Sequence, residues 1–302
     1  MFELTILGSS SATPAYNRNP SSQVLNLNEH YYLIDCGEAT QNQLNRYKIK
    51  TVRIDYIFIS HLHGDHYLGL VGLLSSMHLK GRTEAITIFG PPQLLEIIEI
   101  QLKYSETQLR YPFVFIPINA KKEEVILVND EVSVRTVIMN HRIACTGFVF
   151  TEVKKKRKLR QDKILEYNIP VAQMNAIKEG ANFEMEDGKF VFNADITIDS
   201  PEPRSYAYFS DTIFSPENAR SIKGVDILYH EATFMHDLLD RAKETFHTTS
   251  LQAGEFAKLA GVKMLIVGHF SARYKELEPL LQECRSVFEN SFLASEGTKF
   301  SI

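Results

Sequence analysis

The chain has 302 residues, of which 44% are hydrophobic and 23% are charged, an ordinary composition for a soluble globular protein. This length suits one large domain with an insertion or two smaller domains, and the composition excludes disordered and collagen-like chains. No stretch approaches the ~18 uninterrupted apolar residues of a membrane-spanning helix, and the amino terminus lacks the basic start of a secretory signal. We therefore expect a cytoplasmic protein. Three distant cysteines, Cys36, Cys145 and Cys284, argue against a disulfide framework and are expected to be buried thiols.

Strands and helices are predicted in alternation along the chain, with Gly, Pro and Asn marking the turns between apolar segments. In the first half, the pattern predicts strands at residues 2–7, 24–27, 31–35, 55–59, 86–89, 124–128 and 132–139, and helices at residues 40–48, 67–79 and 91–104. In the second half, it predicts strands at residues 205–209, 226–229 and 263–267, and helices at residues 250–260 and 276–288. This alternation favours an α/β protein whose sheets are covered by helices.

Residues from about 152 to 202 differ in character, and we expect them to form an arm inserted into a single domain of residues 1–302. Residues 154–163 contain seven basic residues and one acid, a local charge of +6, whereas the whole chain carries −4. A solvated linker would explain such a run, but because the rest of the chain is acidic we favour contact with RNA. The basic residues named for this contact are Lys154, Lys155, Lys156, Arg157 and Lys158.

A compact group of histidines follows the strand predicted at residues 55–59. Within six positions the sequence contains His61, His63, Asp65 and His66. Neutral imidazole and carboxylate are ligands that Zn²⁺ accepts, and two ligands at i and i+2 followed by two adjacent ones can face two different ions. Surface histidines are the alternative, but their close spacing favours a binuclear metal site.

Two ions need more than four ligands, including a carboxylate that bridges them. Single candidates follow three later strands: His141 after residues 132–139, Asp211 after residues 205–209, and His269 after residues 263–267. Any one of these residues, considered alone, would more commonly be a core or surface residue than a metal ligand. Because all three lie at corresponding strand ends, together they complete the predicted site.

Short motifs occur in order along nearly the whole chain. They are LGSSSATP and RNPSS near the start, then DCGEATQNQL, HLHGDHYLGLVGLL, FSDT, HEAT, HTTSLQA and GHFSARY. The HxHxDH pattern resembles that of the metallo-β-lactamase superfamily, and the full set resembles ribonuclease Z, a family of tRNA 3′-processing endonucleases. The resemblance implies an α/β/β/α sandwich of the metallo-β-lactamase type with an inserted flexible arm.

The sequence departs from this family in two places. The early loop, PxKxRN in the family, keeps Pro14, Arg18 and Asn19 here but has Tyr16 at the lysine position. The Gly-Pro motif of the family's flexible arm is absent from NIPVAQMNAIKEG. We therefore expect the contacts that discriminate the RNA 3′ end to differ in detail from the family pattern.

The resemblance also implies a role for each site residue. One zinc ion would be held by His61, His63 and His141, the other by Asp65, His66 and His269, with Asp211 bridging them. Asp65 would also take the proton of the attacking water. His247 would protonate the leaving group and Glu231 would orient it, although a helix-capping histidine and a structural carboxylate are alternatives. Asp35 would orient a ligating imidazole or form a turn.

The implied function is a zinc-dependent endoribonuclease with two zinc ions per chain, acting as a homodimer. It would cleave precursor tRNA at its 3′ side, leaving a 3′-hydroxyl on the tRNA and a 5′-phosphate on the trailer. Arg18 and Arg273, the latter with Ser271 and Tyr274, would contact RNA phosphate. A zinc phosphodiesterase for small molecules such as cyclic nucleotides is one alternative, though it would not need the basic run. A catalytically idle RNA-binding protein is another, though it would not need all seven ligands.

Overall fold

The computed structural model describes residues 1–302, and the chain divides into two compact units. One unit comprises Met1–Thr151 and Arg204–Ile302, and the other comprises Glu152–Pro203. None of the helices has the length and apolar character needed to span a membrane.

Strands predominate in the chain up to residue 152. They are β1 (Phe2–Gly8), β2 (Ser22–Leu27), β3 (His30–Cys36), β4 (Ile54–Phe58), β5 (Ile86–Gly90), β6 (Phe113–Pro117), β7 (Val125–Val128), β8 (Val132–Met139) and β9 (Cys145–Glu152). The helices of this part are α1 (Thr40–Arg46), α2 (Gly64–Tyr67), α3 (Leu70–Leu79) and α4 (Gln93–Tyr104), with a 3₁₀ turn at Thr51–Arg53.

The smaller unit and the remainder of the chain continue this numbering. The unit contains β10 (Lys158–Leu159), α5 (Gln161–Glu166), α6 (Val171–Lys178), β11 (Phe183–Glu184), β12 (Phe190–Val191), α7 (Asn193–Ile196) and β13 (Thr197–Ile198). After it come β14 (Ser205–Phe209), β15 (Ile227–Glu231), α8 (Leu239–Thr245), α9 (Ser250–Ala260), β16 (Met264–Gly268), α10 (Glu278–Val287), β17 (Ser291–Leu293) and β18 (Lys299–Ser301). Two 3₁₀ segments lie at Pro216–Ile222 and His236–Leu238.

The larger unit is built on two seven-stranded sheets. The first has the order β18-β1-β2-β3-β4-β5-β6, and its strands β3 to β6 are parallel. The second has the order β17-β16-β15-β14-β9-β8-β7, and its strands β14 to β17 are parallel. Because parallel strands end at the same edge of a sheet, the residues that follow β14, β15 and β16 are placed side by side.

Three apolar layers hold this unit together. Between the sheets, aromatic side chains from both of them pack in one cluster that includes Phe58, Phe148 and Tyr208. Outside the first sheet, α3 and α4 bury their apolar sides on it, and outside the second, α9 and α10 do the same. The order is helix, sheet, sheet, helix, so the predicted α/β/β/α sandwich is confirmed.

The histidine motif is partly helical, which corrects the prediction of a loop followed by one helix at residues 67–79. Helix α2 already begins at Gly64, so Asp65 and His66 lie in its first turn. The helix is interrupted before α3, where the Gly69 N–H donates to the Cys36 carbonyl at 2.9 Å. A Cβ atom at Gly69 would lie 2.2 Å from the Gly37 carbonyl oxygen. Only glycine therefore allows this close approach, which positions the motif against the end of β3.

The smaller unit has a core of its own. Ile169, Ile177, Phe183 and Ile196 are buried together, with partly buried residues such as Leu159 packed against them. The residues predicted as an arm therefore fold into short helices and two-residue strands around a small apolar cluster.

Candidate metal centre and catalytic site

The structure brings all seven predicted ligands together at the strand ends of the larger unit. His61 follows β4, His141 follows β8, Asp211 follows β14 and His269 follows β16. The ligand atoms of these seven residues form two groups, in each of which every atom lies within 4.8 Å of the others, and a third such group joins Asp211 and His269 with His247. The first group is His61, His63, His141 and Asp211, and the second is Asp65, His66 and His269.

In the first group, imidazole nitrogens converge on a common point. His63 Nδ1 lies 3.0 Å from His61 Nε2 and 3.1 Å from His141 Nε2. The other ring nitrogens are engaged elsewhere, since His141 Nδ1 donates to the Phe246 carbonyl at 2.9 Å and His61 Nδ1 lies 3.0 Å from Ser60 Oγ. These contacts leave the Nε2 lone pairs directed inward, as metal-ligating histidines require.

Asp211 lies between the two groups and presents one oxygen to each. Its Oδ2 is 3.7 Å from both His61 Nε2 and His141 Nε2, and its Oδ1 is 3.3 Å from His66 Nε2 and 3.2 Å from His269 Nε2. The Oδ1 atom is buried and has no hydrogen-bond partner. A buried carboxylate oxygen without a partner is costly unless a cation compensates it. Asp211 therefore fits a carboxylate that bridges two metal ions.

The electrostatics of the cluster also fit divalent cations. Burial lowers the pKa of His61, His63 and His141, which keeps these imidazoles in the neutral form that binds metal. Burial lowers the pKa of His66 as well, but the surrounding carboxylates, led by Asp211, raise it well above its usual value. The centre therefore combines three imidazoles that favour the neutral form with carboxylates that favour a positive charge at His66, and a divalent cation such as Zn²⁺ could take the place of that charge.

Asp35 is fully buried and positions candidate ligands through hydrogen bonds. Its Oδ2 accepts hydrogen bonds from His66 Nδ1 at 2.7 Å, Ser60 Oγ at 2.8 Å and Tyr208 Oη at 2.6 Å. The Ser60 N–H donates to its other oxygen at 2.8 Å. The expected contact between Asp35 and a candidate ligand is thus present, and it directs His66 Nε2 toward the centre. Because Ser60 Oγ also contacts His61, one carboxylate positions histidines of both groups.

A separate acid–base pair lies beside the cluster. His247 Nδ1 is 2.8 Å from Glu231 Oε1, and the fully buried Glu231 also accepts hydrogen bonds from the Thr212 N–H and from the Thr233 N–H and hydroxyl. Burial lowers the pKa of His247, but the Glu231 carboxylate outweighs this effect and raises it to about 9. This raised pKa favours the protonated form of His247 at neutral pH, and the His247 ring centroid lies 5.2 Å from that of His141.

The alternative role of His247 as a helix cap does not match the geometry. The residue that caps α9 is Thr249, whose side chain accepts from the Gln252 N–H in a reciprocal capping box. His247 instead contacts Glu231, and Thr233 links the pair to His269 through a 2.9 Å contact with His269 Nδ1. Apart from the position of Thr233 in the HEAT motif, nothing in the sequence indicated that it would contact this pair.

A cavity of about 300 Å³ opens over these residues. Asp65 and His247 line it, together with Ala12, Glu38 and Arg142, which sequence reasoning did not connect with the site. The Ala12 N–H donates to Asp65 Oδ2 at 2.7 Å. No side-chain pattern could have indicated this contact, because the donor belongs to the backbone.

The arginines predicted to contact phosphate make internal contacts. Arg18 donates to the Tyr274 carbonyl at 2.6 Å and to the Lys275 carbonyl at 3.3 Å. Arg273 donates to Ser271 Oγ at 3.1 Å and lies 5.0 Å from the ring centroid of Phe234. Neither arginine lines the cavity, so RNA contact by these two residues stays a prediction.

The basic run is surrounded by acids of its own unit. Lys154, Lys156 and Arg157 pair with Glu202, Glu179 and Asp199 at 3.0, 2.6 and 3.1 Å. The exposed side chains of Lys155 and Lys158 make no ion pair. Residues 152–203 together contain nine basic and ten acidic residues, so the basic character belongs to the run and not to the whole unit.

Comparisons with known proteins agree with this architecture. Two facing sheets between helices, with a histidine and aspartate cluster at the strand ends, define a metal-binding protein of the metallo-β-lactamase fold. The metallo-β-lactamase-fold protein YhfI of Bacillus subtilis shares the fold, with a TM-score of 0.70 and 18% identity over 100% of both chains. The short form of human tRNase Z superimposes with a TM-score of 0.71 and 26% identity over 99% of both chains.

Relatives identified by sequence share a higher identity with this chain than these two solved structures do. The ribonuclease Z of Cytophaga hutchinsonii is 48% identical over 302 residues, which are 100% of this chain and 96% of the relative. The model of a family described as Anti-Pycsar protein Apyc1 also matches residues 2–276. The chain therefore belongs to the ribonuclease Z family by its relatives and to the Anti-Pycsar protein Apyc1 family by its model match. The predicted family, fold and enzyme class are confirmed.

Proposed function

We propose that this chain is a zinc-dependent endoribonuclease that cleaves precursor tRNA at its 3′ side, leaving a 3′-hydroxyl on the tRNA and a 5′-phosphate on the trailer. Full-length relatives named ribonuclease Z and the likeness to human tRNase Z support the substrate. The observation that carries the proposal is the position of Asp211, which faces two donor groups beside the pair formed by His247 and the buried Glu231. Two zinc ions per chain would fill this arrangement.

The chain's own groups divide the reaction between them. When bound, two divalent ions activate water as a nucleophile and stabilise charge on the phosphoryl oxygens. Asp65 is one of the candidate ligands and also lines the cavity, so its carboxylate is placed to take a proton from the attacking water. His247, protonated through Glu231, is placed to donate a proton to the oxygen that leaves, which is the 3′-oxygen of the tRNA ribose.

In this proposal, the basic run at residues 154–163 binds the body of the RNA. Contacts between lysine or arginine and phosphate increase affinity without regard to sequence. Lys155 and Lys158 are free for such contacts, and the exposed ion pairs of Lys154 and Lys156 contribute little to stability, so phosphates can replace their carboxylates. We also propose that the protein is a cytoplasmic homodimer, and sedimentation of the purified chain tests the oligomeric state.

Product mapping with two substrates tests the proposed function. Purified protein is incubated with a precursor tRNA and with bis(p-nitrophenyl) phosphate, each with zinc and with a chelator. We expect one cut at the 3′ side of the tRNA, abolished by the chelator and restored by zinc. Hydrolysis of the small diester without cleavage of RNA would favour a small-molecule phosphodiesterase, and RNA binding without any hydrolysis would favour an idle RNA-binding protein.

A further inference from the structure

Arg142 is the only lysine or arginine among the residues that line the catalytic cavity. Its neighbours there include the carboxylates of Glu38, Asp65 and Asp211. Arg142 is exposed, and its guanidinium makes no hydrogen bond or ion pair within the chain. A guanidinium without an internal partner is available to an anionic ligand.

The position of Arg142 in the chain determines the side of the cavity on which it lies. It follows His141, whose Nδ1 donates to the carbonyl of Phe246 at 2.9 Å, and Phe246 directly precedes His247. The rings of His141 and His247 have centroids 5.2 Å apart. Arg142 therefore stands on the same flank as the proton donor, whereas Ala12 and Glu38 come from other loops.

We propose that Arg142 binds the phosphate on the 5′ side of the nucleotide that carries the leaving 3′-oxygen, one linkage upstream of the bond that is cleaved. The inference rests on the proposed function, because His247 meets the leaving oxygen of the tRNA ribose and the ribose must then lie on this flank. A guanidinium can hold a phosphate through two parallel hydrogen bonds, which fixes the geometry of the nucleotide as well as its charge. Arg142 thus acts as a substrate-binding residue that positions the 3′ nucleotide of the tRNA.

Variants of Arg142 give the first test. Arg142→Gln should raise the KM for precursor tRNA on the order of tenfold, which corresponds to about 1.4 kcal/mol for one charged interaction with phosphate. The effect on bis(p-nitrophenyl) phosphate should be smaller, because that substrate has no second phosphate. Arg142→Lys should recover part of the affinity. Arg220→Gln is the matched control, since Arg220 is an exposed arginine that lines a different cavity.

A substrate with a single neutral linkage gives the decisive test. Precursor tRNA is prepared with a methylphosphonate, which carries no charge, either one linkage upstream or one linkage downstream of the cleaved bond. If Arg142 binds the upstream phosphate, Arg142→Gln and the upstream replacement together should cost no more than either alone, while the downstream replacement should add to the variant's defect. Full additivity with the upstream replacement would overturn the assignment. If wild-type protein did not cut unmodified precursor tRNA, the proposed function itself would fail, whether or not the small diester were hydrolysed.

Discussion

At the residue scale, proton transfer and metal binding are assigned to different histidines. The buried carboxylate of Glu231 faces His247 Nδ1 and raises the pKa of His247, whereas burial lowers the pKa of His61 and His141 and favours their neutral forms. In the proposed mechanism, the same residue type would serve as an acid at His247 and as a ligand at His141, whose ring centroid is 5.2 Å away, because the two imidazoles have different neighbours.

His247→Ala separates these two roles. If His247 is the general acid, the variant should keep both metal ions and slow RNA cleavage by ~10²–10⁴. The ribose 3′-oxygen needs a proton to leave and p-nitrophenolate scarcely does, so hydrolysis of bis(p-nitrophenyl) phosphate should fall much less. Steady-state rates with both substrates, together with metal content, provide the measurement. Equal decreases on the two substrates would show that His247 has a structural role.

Asp211→Ala should remove metal and activity together. Because one oxygen of Asp211 faces each donor group, its removal affects both sites at once. We expect about two zinc ions per wild-type chain and a large decrease in the variant, measured by elemental analysis of folded protein. Asp240→Ala, at an exposed aspartate, is the control. A folded wild-type preparation that is active without metal would contradict the metal-centred account.

The sequence indicated the candidate ligands whose side chains lie directly after strands. The HxHxDH motif and the single residues His141, Asp211 and His269 are of this kind, and the structure brings them together. Groups that act through the backbone could not be predicted, since the Ala12 N–H and the Phe246 carbonyl have no dependence on residue type. Arg142 was missed for another reason: a lone arginine in a loop gives no sign of the cavity it faces.

At the element scale, strands with strong local patterns were predicted and strands that depend on distant partners were not. In the larger unit, the prediction omitted β6, β9, β17 and β18, and in the smaller unit it omitted all four two-residue strands. Strand β6 ends at Pro117 and follows another proline, and β9 is buried along most of its length, so neither shows clear alternation. Strands β17 and β18 have three residues each, and β18 pairs with β1 from the opposite end of the chain. Such pairings arise only in the folded protein.

The basic run provides a prediction at this scale. Replacing its cations with Ser or Gln should weaken binding of precursor tRNA and flatten the salt dependence of binding, by about 0.7–0.9 log units per log of salt for each phosphate that is no longer neutralised. The residues to replace are Lys154, Lys155, Lys156, Arg157 and Lys158. Hydrolysis of bis(p-nitrophenyl) phosphate should stay near the wild-type rate because the metal ligands are untouched.

Smaller variants make this experiment sharper. Lys155→Gln with Lys158→Gln removes two unpaired cations, whereas Lys156→Gln removes one that pairs with Glu179. The double variant should therefore change the salt slope while its thermal stability stays at the wild-type level. An unchanged slope after all five replacements would show that the run is a solvated linker, and inactivity on both substrates would indicate a requirement in folding or assembly.

At the scale of the whole molecule, the two-sheet core brings distant parts of the sequence to one centre. His61 and His269 are more than 200 residues apart in sequence, yet both belong to the cluster around Asp211. The positions of these residues after predicted strands suggested this convergence, but strand order and register are properties of the fold and could not be read from the sequence. The central claim is that water attacks phosphorus and the tRNA ribose 3′-oxygen leaves.

Cleavage of a precursor tRNA in ¹⁸O-enriched water tests this claim most directly, with mass spectrometry of both products. The account predicts one ¹⁸O atom in the 5′-phosphate of the trailer and an unlabelled 3′-hydroxyl on the tRNA. A 2′,3′-cyclic phosphate or a labelled 3′-phosphate on the tRNA, with a 5′-hydroxyl on the trailer, would contradict it.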